Sequence, residues 1–382
     1  MKRIFVITLL FLSSMPLFTQ PEHITNFFKC GFPKLDDYKC FDCDTIKAQN
    51  PIEWELSEEY NKITIQKRLL ARMAIMRTAA YLVIQDGKIL FEEYWLNFDQ
   101  NSKMNSFSVS KSIVALLIGI AIEERKIESI NQKVKDFIPY FSQGKDSLLT
   151  IIDLLSMSSG LNWSEEFANP MSDIIIAYYG NSLDSLIRGS QVEETPGKKW
   201  NYQCGNTLLL TDILEKATGK KVYDYAQEKL WIPLGSTNDA LWGKDSSSGT
   251  TKSFCCFYAT PRDFAKLGLL VLNKGKFNGK QIVSEEYINI ITTPSKWLKY
   301  KNKNVDFYGL HVWLVPQKKK IPYFSGMFGQ YVFIIPEKNA VVVRFGEMLN
   351  ELTIQPLPQD VKLYLKVAER ILQSSKNYNY EN

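Results

Sequence analysis

At 382 residues, with 45% hydrophobic and 13% aromatic side chains, the chain can bury a large core, which argues against a disordered scaffold. Lysine and arginine exceed aspartate and glutamate only by 46 to 41. The local clusters at Lys299, Lys301 and Lys303 and at Lys318, Lys319 and Lys320 read as solvated loops, so no basic face points to nucleic acid.

Residues 1–20 have the form of an export signal or N-terminal anchor. Lys2 and Arg3 precede the apolar run from Ile4 to Leu12, and Ser13, Ser14 and Pro16 break it. The run is short for a bilayer, and Phe18-Thr19-Gln20-Pro21 offers no clear small-residue cleavage site. The expectation is an exported protein, periplasmic or secreted, attached to a membrane only if this segment is retained.

Residues 21–60 read as an irregular, cysteine-containing extension. Six cysteines fit an oxidising compartment, and Cys30, Cys40 and Cys43 suggest a disulfide-stapled segment, with unpaired buried thiols as the alternative. Cys255 and Cys256 are adjacent, so pairing with each other is disfavoured and pairing with the N-terminal group is open. A metal site would need four spaced ligands, and only His23 is near enough to assist.

A main domain is expected over residues 61–373. Ala80-Tyr81-Leu82-Val83-Ile84 and Ile89-Leu90-Phe91-Glu92-Glu93-Tyr94 flank Asp86-Gly87, a tight-hairpin signal. Helical patterns follow near 109–124, 149–157, 205–217 and 222–230. Strands return at Tyr331 to Ile335 and Ala340 to Phe345, a helical period runs from Val361 to Leu372, and residues 374–382 read as a frayed tail. The fold class is therefore α/β in the α+β sense: an antiparallel sheet from N- and C-terminal segments, flanked by helices, with an inserted, mostly helical region.

The chemistry starts from what is missing. His23 and His311 are the only histidines and no Gly-x-Ser-x-Gly elbow occurs, so a Ser-His-Asp site would have to use His311 without its usual signature. Neither a Walker loop nor a dinucleotide fingerprint is present. Hydrolysis here needs another base.

Phe107-Ser108-Val109-Ser110-Lys111-Ser112 opens an apolar helix, and an all-round apolar helix is a buried one. Ser108 and Lys111, three apart, share one face. Desolvation and the positive helix end both disfavour the ammonium form, which leaves a base beside a nucleophile. The Ser108 N–H at the helix start is one candidate oxyanion donor. Serine is also a common N-cap, and Ser-x-x-Lys recurs at Ser142 and Lys145 without a buried helix after it.

This motif resembles the nucleophile motif of the penicillin-recognising serine hydrolases: class C β-lactamases, D-alanyl-D-alanine carboxypeptidases, 6-aminohexanoate-dimer hydrolases and their esterase relatives. Further landmarks follow in that family's order at Leu154–Leu161, Pro196–Asn206, Tyr258–Asp263, Gly275–Lys280 and Phe324–Gln330. The resemblance implies a β-lactamase/transpeptidase-like fold and acyl transfer to Ser108, with Lys111 and Tyr202 as general acid/base groups. It further implies that a nearby lysine charge favours the phenolate of Tyr202. The Met327 N–H would complete the oxyanion hole, with Cys204, Ser325 and Gly326 lining the substrate. No metal or organic cofactor is implied, and the partner is a small-molecule or peptide-like ester or amide.

Two positions depart from the family. Cys204 stands where asparagine or serine is usual, and Phe324 stands where a lysine or histidine meets the substrate. Without that donor a penicillin carboxylate would be held poorly. An uncharged ester or amide is the expected substrate. A D-amino-acid peptidase, a weak β-lactamase and a non-catalytic binder of cell-wall or acyl ligands are the rivals. Trp200, Trp242 and Trp313 read as core or as substrate walls.

Overall fold

The computed structural model describes residues 21–316, 321–347 and 357–378. The export segment, the Lys318 to Lys320 cluster and the extreme C-terminus lie outside them. The extension is more ordered than its composition suggests. It forms helix α1 (Glu22–Cys30) and strand β1 (Cys43–Ile46), and a Cys30–Cys40 disulfide staples it. Cys43 keeps a free thiol.

Helix α2 (Lys67–Ile75) leads into β2 (Thr78–Gln85) and β3 (Lys88–Tyr94). Asp86 and Gly87 close that hairpin with φ of +50° and +78°, the paired left-handed residues a two-residue turn requires. The short strand β4 (Met104–Asn105) runs into α3 (Val109–Glu123), against which α4 (Gly205–Thr218) packs. Next come β5 (Ala240–Gly243), β6 (Phe257–Ala259) and α5 (Pro261–Leu272), which Thr260 caps by accepting from the Asp263 N–H at 3.2 Å. Last are β7 (Trp313–Leu314), β8 (Pro322–Gly326), β9 (Gln330–Ile335), β10 (Ala340–Gly346) and α6 (Gln359–Tyr378).

The main sheet has the order β7-β8-β9-β10-β2-β3, every described pair antiparallel, so the N-terminal hairpin is zipped onto the C-terminal one through β10 and β2. Strand alternation splits its side chains between two helical layers. Phe345 stacks on Phe264 of α5, while its neighbour Arg344 faces α6, with its guanidinium 4.9 Å from the Tyr364 ring. A smaller sheet of order β1-β5-β6-β4 joins the extension to the strand that feeds α3. Lys299 and Lys303 sit on a separate exposed hairpin. No helix among the described residues is long and apolar enough to cross a membrane.

Close approach of α5 to the sheet depends on Gly268, where a Cβ would fall 2.6 Å from a Val341 methyl and 2.8 Å from one of Val332. A larger side chain must push helix and sheet apart. Gly268→Leu is expected to destabilise the fold by about 1–3 kcal/mol or more, read as a lowered urea midpoint at unchanged m-value.

Candidate active site

Ser108 stands at the N-cap of α3 but makes no side-chain cap bond, so its hydroxyl is left for other partners. The turn that presents it is unusual. Phe107 adopts φ +46°, a left-handed value costly for a non-glycine residue, and the Asn105 Oδ1 secures it by accepting from the Phe107 N–H at 2.8 Å. Asn105 in turn donates to Asp37 at 2.9 Å, and the Tyr258 and Tyr178 hydroxyls donate to the same carboxylate. The Asn105 backbone N–H also reaches the Leu35 carbonyl at 2.7 Å. The stapled extension therefore braces the nucleophile turn from behind. Burial pushes the Asp37 carboxyl up, and its Tyr178 and Tyr258 donors oppose the shift.

Lys111 is only 2% exposed. Its Nζ donates to the Ser108 Oγ at 2.9 Å and to the Phe254 carbonyl at 2.7 Å, and lies 5.2 Å from the centre of the Tyr202 ring. The Tyr202 phenol lies near enough to the Ser108 side chain for the serine to pull its titration down, against the larger effect of burial. Lys111 and Tyr202 both approach the Ser108 side chain, and Ser108 is the partly exposed member of the trio. The neighbours on α3 fix the helix: Ser110 donates to the Ser253 carbonyl at 2.9 Å and Ser112 to the His311 carbonyl at 2.6 Å.

One expectation changes. The phenolate of Tyr202 is not favoured: burial, and secondarily the Cys204 thiol, push the phenol well above its ordinary value and hold its proton on, against the opposing Ser108 bond. His311 is a structural group. Its ring nitrogens meet Thr207 Oγ1 at 3.0 Å and the Leu155 carbonyl at 2.8 Å, and burial together with the Lys111 charge lowers it to about 3. A neutral imidazole committed to those partners offers Ser108 no base.

Phe324 is fully buried in β8, while Ser325 is partly exposed. β7 pairs only with Pro322 and Tyr323 of β8, so the edge from Phe324 to Gly326 is uncovered among the described residues. Gly326 passes so close to the nucleophile turn that a Cβ would fall 2.1 Å from the Ser106 carbonyl oxygen. Met327 begins the turn between β8 and β9. Phe328 of that turn packs edge-on against Phe107 at 5.4 Å, and the turn is pinned by Arg344, which donates to the carbonyls of Phe328 (2.7 Å) and Gly329 (2.8 Å). Trp200 and Trp313 are core residues that also wall Tyr202, with ring centres 6.2 and 5.7 Å away, whereas Trp242 is fully buried and donates to the Cys255 carbonyl.

The cysteine expectation is overturned at one pair: Cys255 and Cys256 are joined to each other, not to the extension. Adjacent cysteines can close a ring when the backbone bends sharply, and Cys256 takes φ +63° to do so. Cys204 is a buried free thiol whose ordinary value is pushed well up, mainly by burial and then by Glu165.

Glu165 carried no signal in its polar loop. Its Oε1 accepts from the Trp163 indole at 3.1 Å and from the Cys204 backbone N–H, and its Oε2 is closed off from solvent. Burial raises this carboxyl, and the Lys111 charge is the largest force pulling it down. Ionised, it is a counter-charge beside Lys111. Because its proton is held to higher pH than an ordinary glutamate, activity should rise as Glu165 ionises, giving an acid limb above the usual carboxylate range. Glu165→Gln should lower kcat/KM by roughly 10- to 100-fold and erase that limb, measured as a pH–rate profile. Among the described residues no group of three or more His, Cys, Asp or Glu side chains is arranged to hold a metal ion.

Comparison with known proteins agrees with this architecture. The family model described as Beta-lactamase matches residues 66–350. The 6-aminohexanoate-dimer hydrolase of Paenarthrobacter ureafaciens is 22% identical over 285 residues, covering 70% of this chain and 72% of its own. A Bacillus anthracis structure assigned as a 6-aminohexanoate-dimer hydrolase superposes with a TM-score of 0.75 at 17% identity, covering 88% of this chain and 92% of that one. A family VIII carboxylesterase gives 0.65 at 16% identity, covering 84% and 99%.

Proposed function

The chain belongs to the beta-lactamase family of serine hydrolases, and on that premise we propose that it cleaves a small or peptide-like, uncharged ester or amide through an acyl–Ser108 intermediate. The observation that carries the residue assignment is the 2.9 Å bond from the buried Lys111 amine to the Ser108 hydroxyl, with the Tyr202 ring beside that amine.

The Ser108 Oγ attacks the substrate carbonyl while the Lys111 side chain serves as its general base. The Phe254 carbonyl, accepting from Nζ, holds the amine against Oγ. The oxyanion is received by the backbone N–H groups of Ser108 and Met327. The Tyr202 phenol, kept protonated by burial, gives its proton to the leaving group and regains one from Lys111. Glu165 balances the charge that Lys111 carries in between. Water then releases the acyl group by the same transfers in reverse. The scheme draws only on side chains and backbone of this chain.

Phe324 supports the choice of substrate, because a fully buried phenyl ring offers no cation to a carboxylate. A lost charge-assisted hydrogen bond corresponds to roughly tenfold or more. In a panel of p-nitrophenyl esters, a D-Ala-D-Ala peptide and a chromogenic cephalosporin, the esters should give the highest kcat/KM and the cephalosporin the lowest. Cephalosporin turnover equal to that of the esters would make the site a lactamase instead. The two disulfides support a site of action outside the reducing cytoplasm.

A further inference from the structure

We infer that the Cys255–Cys256 disulfide is a positioning device for Lys111, so that the oxidised pair is part of what makes the amine a competent base. The inference rests on the role proposed above for Lys111. The carbonyl that accepts the Lys111 hydrogen bond belongs to the peptide unit between Phe254 and Cys255. The disulfide closes a small ring containing the very next peptide bond.

Everything around that ring fixes the direction of the Phe254 carbonyl. The Cys255 N–H, on the same peptide plane, donates to the Lys252 carbonyl at 3.0 Å. The Cys255 carbonyl accepts from the Trp242 indole at 3.1 Å, and the Cys256 carbonyl accepts from the Gly243 N–H at 2.8 Å. One residue upstream, the Ser253 carbonyl accepts from Ser110 of α3, and the Ser253 hydroxyl accepts from Thr211 of α4 at 2.7 Å. The weak point of this lattice is Cys256, a non-glycine residue at φ +63°. Left-handed backbone is disfavoured for such a residue, and ring closure is what removes the extended alternatives. With two thiols in place of the ring, Cys256 can relax and the preceding peptide plane can turn. Lys111 would then lose the acceptor that holds its amine against Oγ, while the substrate-lining residues on β8 stay where they are.

The chemistry is balanced with a phosphine as reductant: the S–S bond breaks, each sulfur gains a hydrogen, and the phosphine takes oxygen from water to become its oxide. The bond is buried, with Cys255 4% and Cys256 0% exposed. Substitution is therefore the primary test and reduction the second.

The full chain carrying C255A/C256A is compared with wild type for ester hydrolysis, melting temperature and fluorophosphonate labelling. The expected result is a fall in kcat of roughly 10- to 100-fold at unchanged KM, the size of loss that a misplaced reacting group produces. Wild-type protein reduced with the phosphine, both thiols confirmed by intact mass, should match it, which keeps the test open if the double variant does not fold. A lower melting temperature with kcat preserved means a merely structural bond and overturns the inference, as does a change confined to KM. If oxidised wild type forms no Ser108 adduct at all, the functional reading itself has failed. If the adduct forms and kcat is indifferent to the cysteines, only the disulfide inference has.

Discussion

Replacing Ser108 by alanine should reduce ester turnover by on the order of 10³-fold or more while leaving the melting temperature close to that of wild type. The expected loss is large because the residues of such a site act as a unit, and removing the nucleophile leaves only what binding and oxyanion stabilisation supply. The expected stability is near wild type because Ser108 makes no helix-capping bond. The hydroxyl is partly exposed, so its loss opens no cavity in the core. Turnover retained in Ser108→Ala would end the assignment.

The two proton carriers should behave differently from each other. Lys111→Met is expected to lower kcat by about 10²- to 10⁴-fold, the range for a general base, with little change in KM. It also removes the charge that pulls the Glu165 carboxyl down, so any residual activity should show an acid limb moved to still higher pH. Tyr202→Phe keeps the ring that packs against Trp200 and Trp313 and deletes only the hydroxyl near Ser108. Its loss should be smallest for substrates with good leaving groups, such as p-nitrophenyl esters, which need little protonation to depart, and largest for amides. A Tyr202→Phe protein equally impaired on both would place the phenol outside leaving-group protonation.

What could be read from the residues is unevenly distributed. The two hairpins are legible because Asp86-Gly87 carries turn chemistry and because the β-branched runs at Tyr331 to Ile335 and Ala340 to Phe345 follow each other closely. Ser108 and Lys111 were legible because helical spacing and an apolar helix together imply a buried pair. Tyr202 came only through family resemblance, since nothing in a Pro-Gly turn followed by an aromatic residue specifies proton transfer. The order within the extension was missed because β1 is short, half-exposed and without alternation. Asp37 and Glu165 were missed for a shared reason. Each is an acidic residue in a polar stretch, where solvation is the normal expectation, and only the fold closes Tyr178, Tyr258 or Cys204 around it. The Cys255–Cys256 bond was misjudged because adjacency argues against closure unless the backbone turns left-handed, a property that neither residue type announces.

The central claim is that a covalent acyl group passes through one oxygen shared by Lys111 and Tyr202. Peptide mapping by mass spectrometry after rapid quenching of the wild-type protein with an activated ester addresses it most directly. An acyl mass increment on the peptide containing Ser108, absent when the same experiment is run on Ser108→Ala, is the predicted result. Hydrolysis that proceeds while that peptide stays unmodified, or an acyl group carried by another residue, would contradict it.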